Sequence, residues 1–321
     1  MSRPALPISR DLLHRALFRA RREMSSIGLG PSRRRRSGQS LEYREHREFV
    51  PGNDVRNIDW RASLRYKGPF DHLVRAYEAE EQYAMVVALD VRPEMWLPER
   101  MPVMQLGLWL VEALGELAVA AKLSANVLPL FGNTVRPTRP LRGSAVTTLF
   151  RSFLDDVWDG RPQDERGWTA PPQIGASDLI RHLPPAAVVV VITDGTFGDD
   201  QPGFANIIRE AQRAHRHVAL IILDGWPAER ALLEQQSVRL LPFGTFTGRT
   251  ELADPTNREL DAAEKALDSA RQKLRAQEGG LAVSQWTIRR DMTRHSDLEA
   301  MFREQFEAFL RASQIFALAG R

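Results

Sequence analysis

Tyr83-Ala84-Met85-Val86-Val87-Ala88-Leu89, closed by Asp90, is the stretch that decides the fold of this chain. It recurs in kind as Ala187-Val188-Val189-Val190-Val191-Ile192-Thr193 closed by Asp194, and again as His217-Val218-Ala219-Leu220-Ile221-Ile222-Leu223 closed by Asp224. Continuous apolar runs of this length, rich in β-branched residues and lacking polar alternation, are strands buried on both faces. A strand with one solvated face would alternate instead. Parallel strands of this kind deliver Asp90, Asp194 and Asp224 to one end of a sheet.

Helical segments separate the runs. Pro102 stands ahead of a long apolar stretch reaching Leu123, and a second helix is expected over residues 204–215, before the third strand. Residues 125–131 read as a further strand followed by a Gly132-Asn133 turn, and Pro129, which cannot donate to a ladder, places that strand at an edge. This βαβ alternation predicts an α/β fold with a doubly wound, mostly parallel sheet and helices on both faces. The C-terminal third is helix-rich. Thr256-Asn257-Arg258-Glu259 and Ser296-Asp297-Leu298-Glu299 both fit the capping box, in which a hydroxyl and a carboxylate satisfy orphan amides at a helix start. The second opens a helix with Leu298, Met301, Phe302, Phe306, Phe309 and Leu310 at helical spacing, read as core. Residues 281–288 between these helices are expected to form a last strand with Trp286 packed inward. There are no internal repeats.

The 321 residues suffice for one large or two moderate domains, and 43% hydrophobic with 26% charged residues is the balance of a folded chain. The absence of cysteine excludes disulfides, thiolate metal sites and cysteine nucleophiles. No phosphate-binding Gly-x-x-x-x-Gly-Lys, nucleophile elbow or His-Glu-x-x-His pair occurs. Gly28-Leu29-Gly30 lacks the preceding strand and third glycine of a dinucleotide loop. Residues 101–124 are the most apolar stretch, but Gln105, Glu112, Glu116 and Lys122 interrupt them, so they read as a buried helix and not a bilayer span. The N-terminal residues show no secretory pattern, and a cytoplasmic location is expected. The net charge is +3, yet Arg15, Arg19, Arg21, Arg22 and the run Arg33, Arg34, Arg35, Arg36 concentrate positive charge in the first forty residues. Too hydrated for a core, the run is the candidate interface. Nucleic acid is not the expected partner, because no aromatic interleaving accompanies the arginines.

A second stretch runs Arg47-Glu48-Phe49-Val50-Pro51-Gly52-Asn53-Asp54-Val55-Arg56-Asn57-Ile58-Asp59-Trp60, followed by Ser63-Leu64-Arg65 and Glu78-x-Glu80-Glu81. Pro51, Gly52, Asn53 and Asp54 form a turn sequence, set against Arg56, Asp59 and Trp60, where opposite charges bracket Ile58. The segment resembles the signature of the DUF58 family. Three parts follow: a basic N-terminal helix over 1–27, the signature segment over 28–81, and a von Willebrand A-like domain over 82–321. Within the signature, Asp54, Arg56 and Asp59 are expected to form a fastening ion network, with Trp60 as its apolar plug.

The resemblance also implies a site. In von Willebrand A folds the first buried strand ends in Asp-x-Ser-x-Ser, which joins a threonine and a second aspartate to hold Mg²⁺. Here the matching stretch keeps Asp90 but places Arg92 and Glu94 at the two serine positions. Ser177 corresponds to the threonine and Asp194 to the distal aspartate. A guanidinium can pair with converging carboxylates by charge-assisted hydrogen bonds. A degenerate site without a metal cofactor is therefore expected, with Mg²⁺ the ion it would otherwise take and Glu94 an alternative oxygen ligand. Further implied is a non-enzymatic adaptor that partners a MoxR-type AAA+ ATPase and links it to a client, an enzyme dependent on a metal or cofactor. The rival readings are a divalent-metal hydrolase built on Asp90, Glu94, Asp194 and Asp224, and a protein whose basic arm docks on anionic membrane.

Overall fold

A computed structural model describes residues 3–26, 43–48, 58–66, 72–77, 84–98, 102–131, 139–163, 187–195, 217–234, 238–240, 251–253, 255–275, 282–292 and 294–313. They fall into two compact units, one of Met1–Gly28 with Tyr83–Gly320 and one of Leu29–Gln82.

The smaller unit contains β1 (Tyr43–Glu48), α2 (Trp60–Tyr66) and β2 (Leu73–Tyr77), with β1 and β2 antiparallel. Asp59 sets the start of α2, where its Oδ1 accepts from the Ala62 amide at 3.0 Å and its own amide donates to the Leu73 carbonyl at 2.8 Å. Ser63 is buried and accepts from the Leu73 amide at 2.8 Å, tying helix to strand. The expectation that Trp60 plugs this segment is corrected. Trp60 is 57% exposed and touches His72 edge-on at 4.9 Å, because Ala62 and Ser63 take the inward side of the short helix.

Among the described residues the larger unit holds a five-stranded sheet whose strands all run parallel. Its strands are β3 (Ala84–Asp90), β4 (Ser124–Leu130), β5 (Ala187–Thr193), β6 (His217–Asp224) and β9 (Ala282–Thr287), in spatial order β4-β3-β5-β6-β9. The order reverses between β3 and β5, which makes a switch point at their carboxyl ends. Pro129 lies on the edge strand, and Leu141 makes an antiparallel bridge to Ala125 on the outer side of β4. Two further strands, β7 (Val238–Leu240) and β8 (Glu251–Ala253), form a separate antiparallel pair.

Period-two alternation divides the buried strand residues between two cores. Met85, Val87, Leu89, Val190, Ile192, Ile221 and Leu223 face a large cluster, and Val86, Ala88, Val189, Val191, Leu220 and Ile222 face a smaller one. The large cluster is roofed by α1 (Arg10–Ser26), α3 (Val103–Ala120), α4 (Ser144–Asp159) and α7 (His295–Ser313). Because α3 is apolar nearly all round, it occupies the middle of that layer. Gly107 and Gly115 permit the close approach: a Cβ on Gly107 would lie 2.8 Å from Leu89 Cδ1, and one on Gly115 2.5 Å from Phe150 Cδ1. The apolar stripe of α7 is buried throughout, with Phe302 stacked on Phe306 and set edge-on to Trp286.

Among the described residues the remaining helices are α5 (Trp226–Leu233) and α6 (Asn257–Arg275). At the start of α6 the capping box forms, the Thr256 amide donating to Glu259 Oε2 at 2.8 Å. At α7 the expected box is displaced. The helix begins at His295, so Asp297, not Glu299, reaches back, accepting from the Arg294 amide at 3.1 Å. The helix expected over 204–215 lies outside the described residues.

Candidate functional site at the carboxyl ends of the strands

The end of β3 builds the site by a local rule. An aspartate readily accepts from the amide two residues on. Asp90 does so, with Oδ1 3.1 Å from the Arg92 amide, and the turn swings the Arg92 side chain back over the carboxylate that formed it. Arg92 is extended and leads into a 3-10 turn over Pro93–Trp96. Its Nε lies 3.0 and 3.1 Å from the two Asp90 oxygens, and Nη2 donates to Asp90 Oδ2 at 2.6 Å and to Asp194 Oδ1 at 2.8 Å. From the adjacent strand end the Thr193 hydroxyl donates to Asp90 Oδ2 at 2.8 Å. The guanidinium carbon also sits 4.9 Å from the centroid of the Phe131 ring, a cation–π contact that closes one side of it.

This cluster is buried. Asp90 is fully buried, and Arg92 and Asp194 nearly so. Burial works against the charge on Arg92, yet Asp90 and Asp194 outweigh it and hold the guanidinium's pKa above its ordinary value. Complete burial pushes the Asp90 carboxyl up, opposed chiefly by Arg92. Glu94 is likewise raised by burial, and its Oε2 is enclosed without a hydrogen-bond partner.

One strand over, Asp224 heads a second cluster. Its Oδ1 lies 2.9 Å from Arg271 Nη2 and accepts from the Trp226 amide at 3.1 Å, and its Oδ2 accepts from Gln285 Nε2 at 3.0 Å. Glu229, on α5, is raised to about 7 by burial first and then by the charges of Asp194 and Asp224, with Arg271 opposing.

The structure therefore brings Asp90, Arg92 and Asp194 into contact and gives Asp224 a different partner. Ser177, Pro51, Gly52, Asn53, Asp54, Arg56 and the run Arg33, Arg34, Arg35, Arg36 lie outside the described residues. Asp59 caps α2, and Arg65 is exposed in its last turn. Sequence reading passed over Thr193, Phe131, Glu229 and Arg271. For Arg271 a signal existed, since it falls on the inward stripe of α6 with Leu260 and Leu267 and is the charged member of that stripe.

Divalent-cation binding, as in von Willebrand A sites, requires hard oxygen donors free to converge on one ion. Here the facing oxygens of Asp90 and Asp194 already meet a positive group, and arginine stands where a hydroxyl would ligate. Among the described residues the donor set does not fit such an ion. Among the described residues no group of three or more His, Asp or Glu side chains could hold a metal.

Strand order, switch point and strand-end aspartates together define a doubly wound α/β protein. The family described as protein of unknown function DUF58 matches residues 45–278, and the chain belongs to that family. No curated protein matches the sequence. Similar solved structures include an aerotolerance-related membrane protein of Bacteroides fragilis, at 12% identity and TM-score 0.36, covering 70% of this chain and 99% of that one. The conserved hypothetical protein BatB of Bacteroides thetaiotaomicron gives 11% and 0.37, covering 70% and 98%. A von Willebrand factor type A structure from Catenulispora acidiphila gives 15% and 0.32, covering 75% and 45%.

The expected cytoplasmic location is corrected here. The helix α3 is long and apolar enough to cross a bilayer, with mean hydropathy 1.5 over 18 residues. Glu112 and Glu116 lie within that window, and the helix packs in the core as a buried helix, as its sequence predicts. In the fold 78% of the helix is buried.

Proposed function

We propose that this chain is a non-enzymatic adaptor, a protein-interaction module that partners a MoxR-type AAA+ ATPase and connects it to a client in the assembly or activation of a metal- or cofactor-dependent enzyme. The observation that carries the reading is the closed state of the strand-end rim. In a doubly wound sheet ligands gather where the strand order reverses, and at that place Asp90 and Asp194 are spent on Arg92. Catalysis by converging carboxylates needs at least one of them free to ligate, take a proton or attack. Asp224, the third strand-end aspartate, is engaged by Arg271, Trp226 and Gln285, which leaves Glu94 as the one acid of the rival hydrolase set with an unpartnered oxygen among the described residues. Family membership and fold agree with an interaction role. The arginine run at 33–36 would add long-range attraction to an acidic partner face.

The test is co-purification of the full chain with a MoxR-type ATPase of the same genome, with and without ATP. A stable complex in either nucleotide state is the expected result, and no complex in both removes the adaptor reading. Phosphatase or nuclease turnover with Mn²⁺ that disappears in Asp90→Asn would replace it with the hydrolase.

A further inference from the structure

We infer that Arg92 is the permanent cation of this site: its guanidinium stands in for a divalent ion between Asp90 and Asp194, and the rim is assembled without metal. The inference rests on geometry and is independent of the adaptor reading.

Two buried carboxylates that converge must share a positive charge or protonate one of their number. Arg92 supplies that charge in a directional form. Nη2 alone bridges Asp90 and Asp194, at 2.6 and 2.8 Å, and Nε adds a second contact to Asp90. The Phe131 ring faces the guanidinium, a neighbour suited to a planar organic cation and useless as a ligand for a hard metal ion. Thr193 completes the arrangement by donating its hydroxyl hydrogen to Asp90. Metal-ion sites open and close with ion concentration, whereas a side-chain cation does not dissociate. The rim therefore holds one electrostatic state at any divalent-ion level, and a partner engaging it does so in the presence of chelator.

Removing the guanidinium should expose the oxygen set it covers. In Arg92→Ser a hydroxyl returns between Asp90 and the Thr193–Asp194 pair, and hard-ion affinity follows. Mn²⁺ is titrated calorimetrically into the purified full chain, wild type and Arg92→Ser, with folding checked by circular dichroism. The expected result is no binding by wild type and one-site binding by Arg92→Ser, a gain of at least about tenfold in affinity, lost again when Asp194→Ala is added. Mn²⁺ binding by wild type that depends on Asp194 overturns the inference, as does a folded Arg92→Ser that binds nothing. Should Arg92→Ser not fold, the wild-type melting temperature decides. Identical melting in chelator and in millimolar Mg²⁺ supports the resident guanidinium, and a Mg²⁺-dependent rise that Asp194→Ala abolishes refutes it.

Discussion

Arg271 Nη2 lies 2.9 Å from Asp224 Oδ1, with both side chains almost fully buried, so that one ion pair pins the end of α6 to the end of β6. Taking one member from a buried pair leaves an uncompensated charge, a loss of about 3 kcal/mol or more, whereas removing both costs less. Arg271→Leu is expected to lower stability by about 3 kcal/mol in urea unfolding. Asp224→Asn with Arg271→Leu should recover at least about 1 kcal/mol of that, because no buried charge is left and the Trp226 amide can still donate to the asparagine oxygen. Simple addition of the two single effects would show that the pair is not coupled.

Glu229 predicts a pH dependence. Its carboxyl is raised to about 7 from 4.5, so between those values the folded chain holds a proton that the unfolded chain has released. Stability due to this group is therefore greatest at low pH, falls as pH rises through that window, and is flat above it. Glu229→Gln should abolish the decline and make the protein more stable at pH 8 by about 1–3 kcal/mol. Denaturation midpoints at pH 5, 6, 7 and 8 measure this directly. Parallel pH curves for the two proteins would show that another group titrates.

The sheet was legible because burial on both faces leaves a strong mark: three apolar runs closed by aspartate gave β3, β5 and β6 nearly to the residue. The contact between Asp90 and Arg92 was legible for a local reason, since residues two apart at a strand end meet through a turn. What could not be read was whatever the chain brings from far away. Arg271 reaches Asp224 from 47 positions further along the chain, and only the helical spacing of α6 marks it as inward-facing. Trp60 misled in the opposite direction. A large aromatic beside charged residues suggests a plug, but on a seven-residue helix Ala62 and Ser63 already fill the inward side.

Gly115 tests the helix layer, with two effects of opposite sign. Alanine improves helix propensity by about 1 kcal/mol, but its Cβ would stand 2.5 Å from Phe150 Cδ1 and 2.9 Å from Cγ. Those atoms belong to a buried ring that cannot swing aside, and overpacking of this kind costs about 1–3 kcal/mol or more. Gly115→Ala should therefore destabilise, and Phe150→Leu in the same chain should restore part of the loss. A Gly115→Ala variant more stable than wild type would mean that α4 yields.

Trp60 and Leu64 lie one helical turn apart on α2, 57% and 70% exposed, and Arg61 and Arg65 are exposed beside them. Tryptophan and arginine side chains are enriched at the energetic centres of protein interfaces. Folding does not use the outer face of this helix, so Trp60→Ala should change stability by no more than about 0.5 kcal/mol, where a buried plug would cost about 3–5 kcal/mol. If this face carries the adaptor contact, Trp60→Ala and Leu64→Ser should each weaken retention of the MoxR-type ATPase while leaving the denaturation midpoint in place. The two readouts separate the possibilities. A large fall in the midpoint would return Trp60 to the core, and unchanged retention in both variants would move the contact elsewhere on the surface.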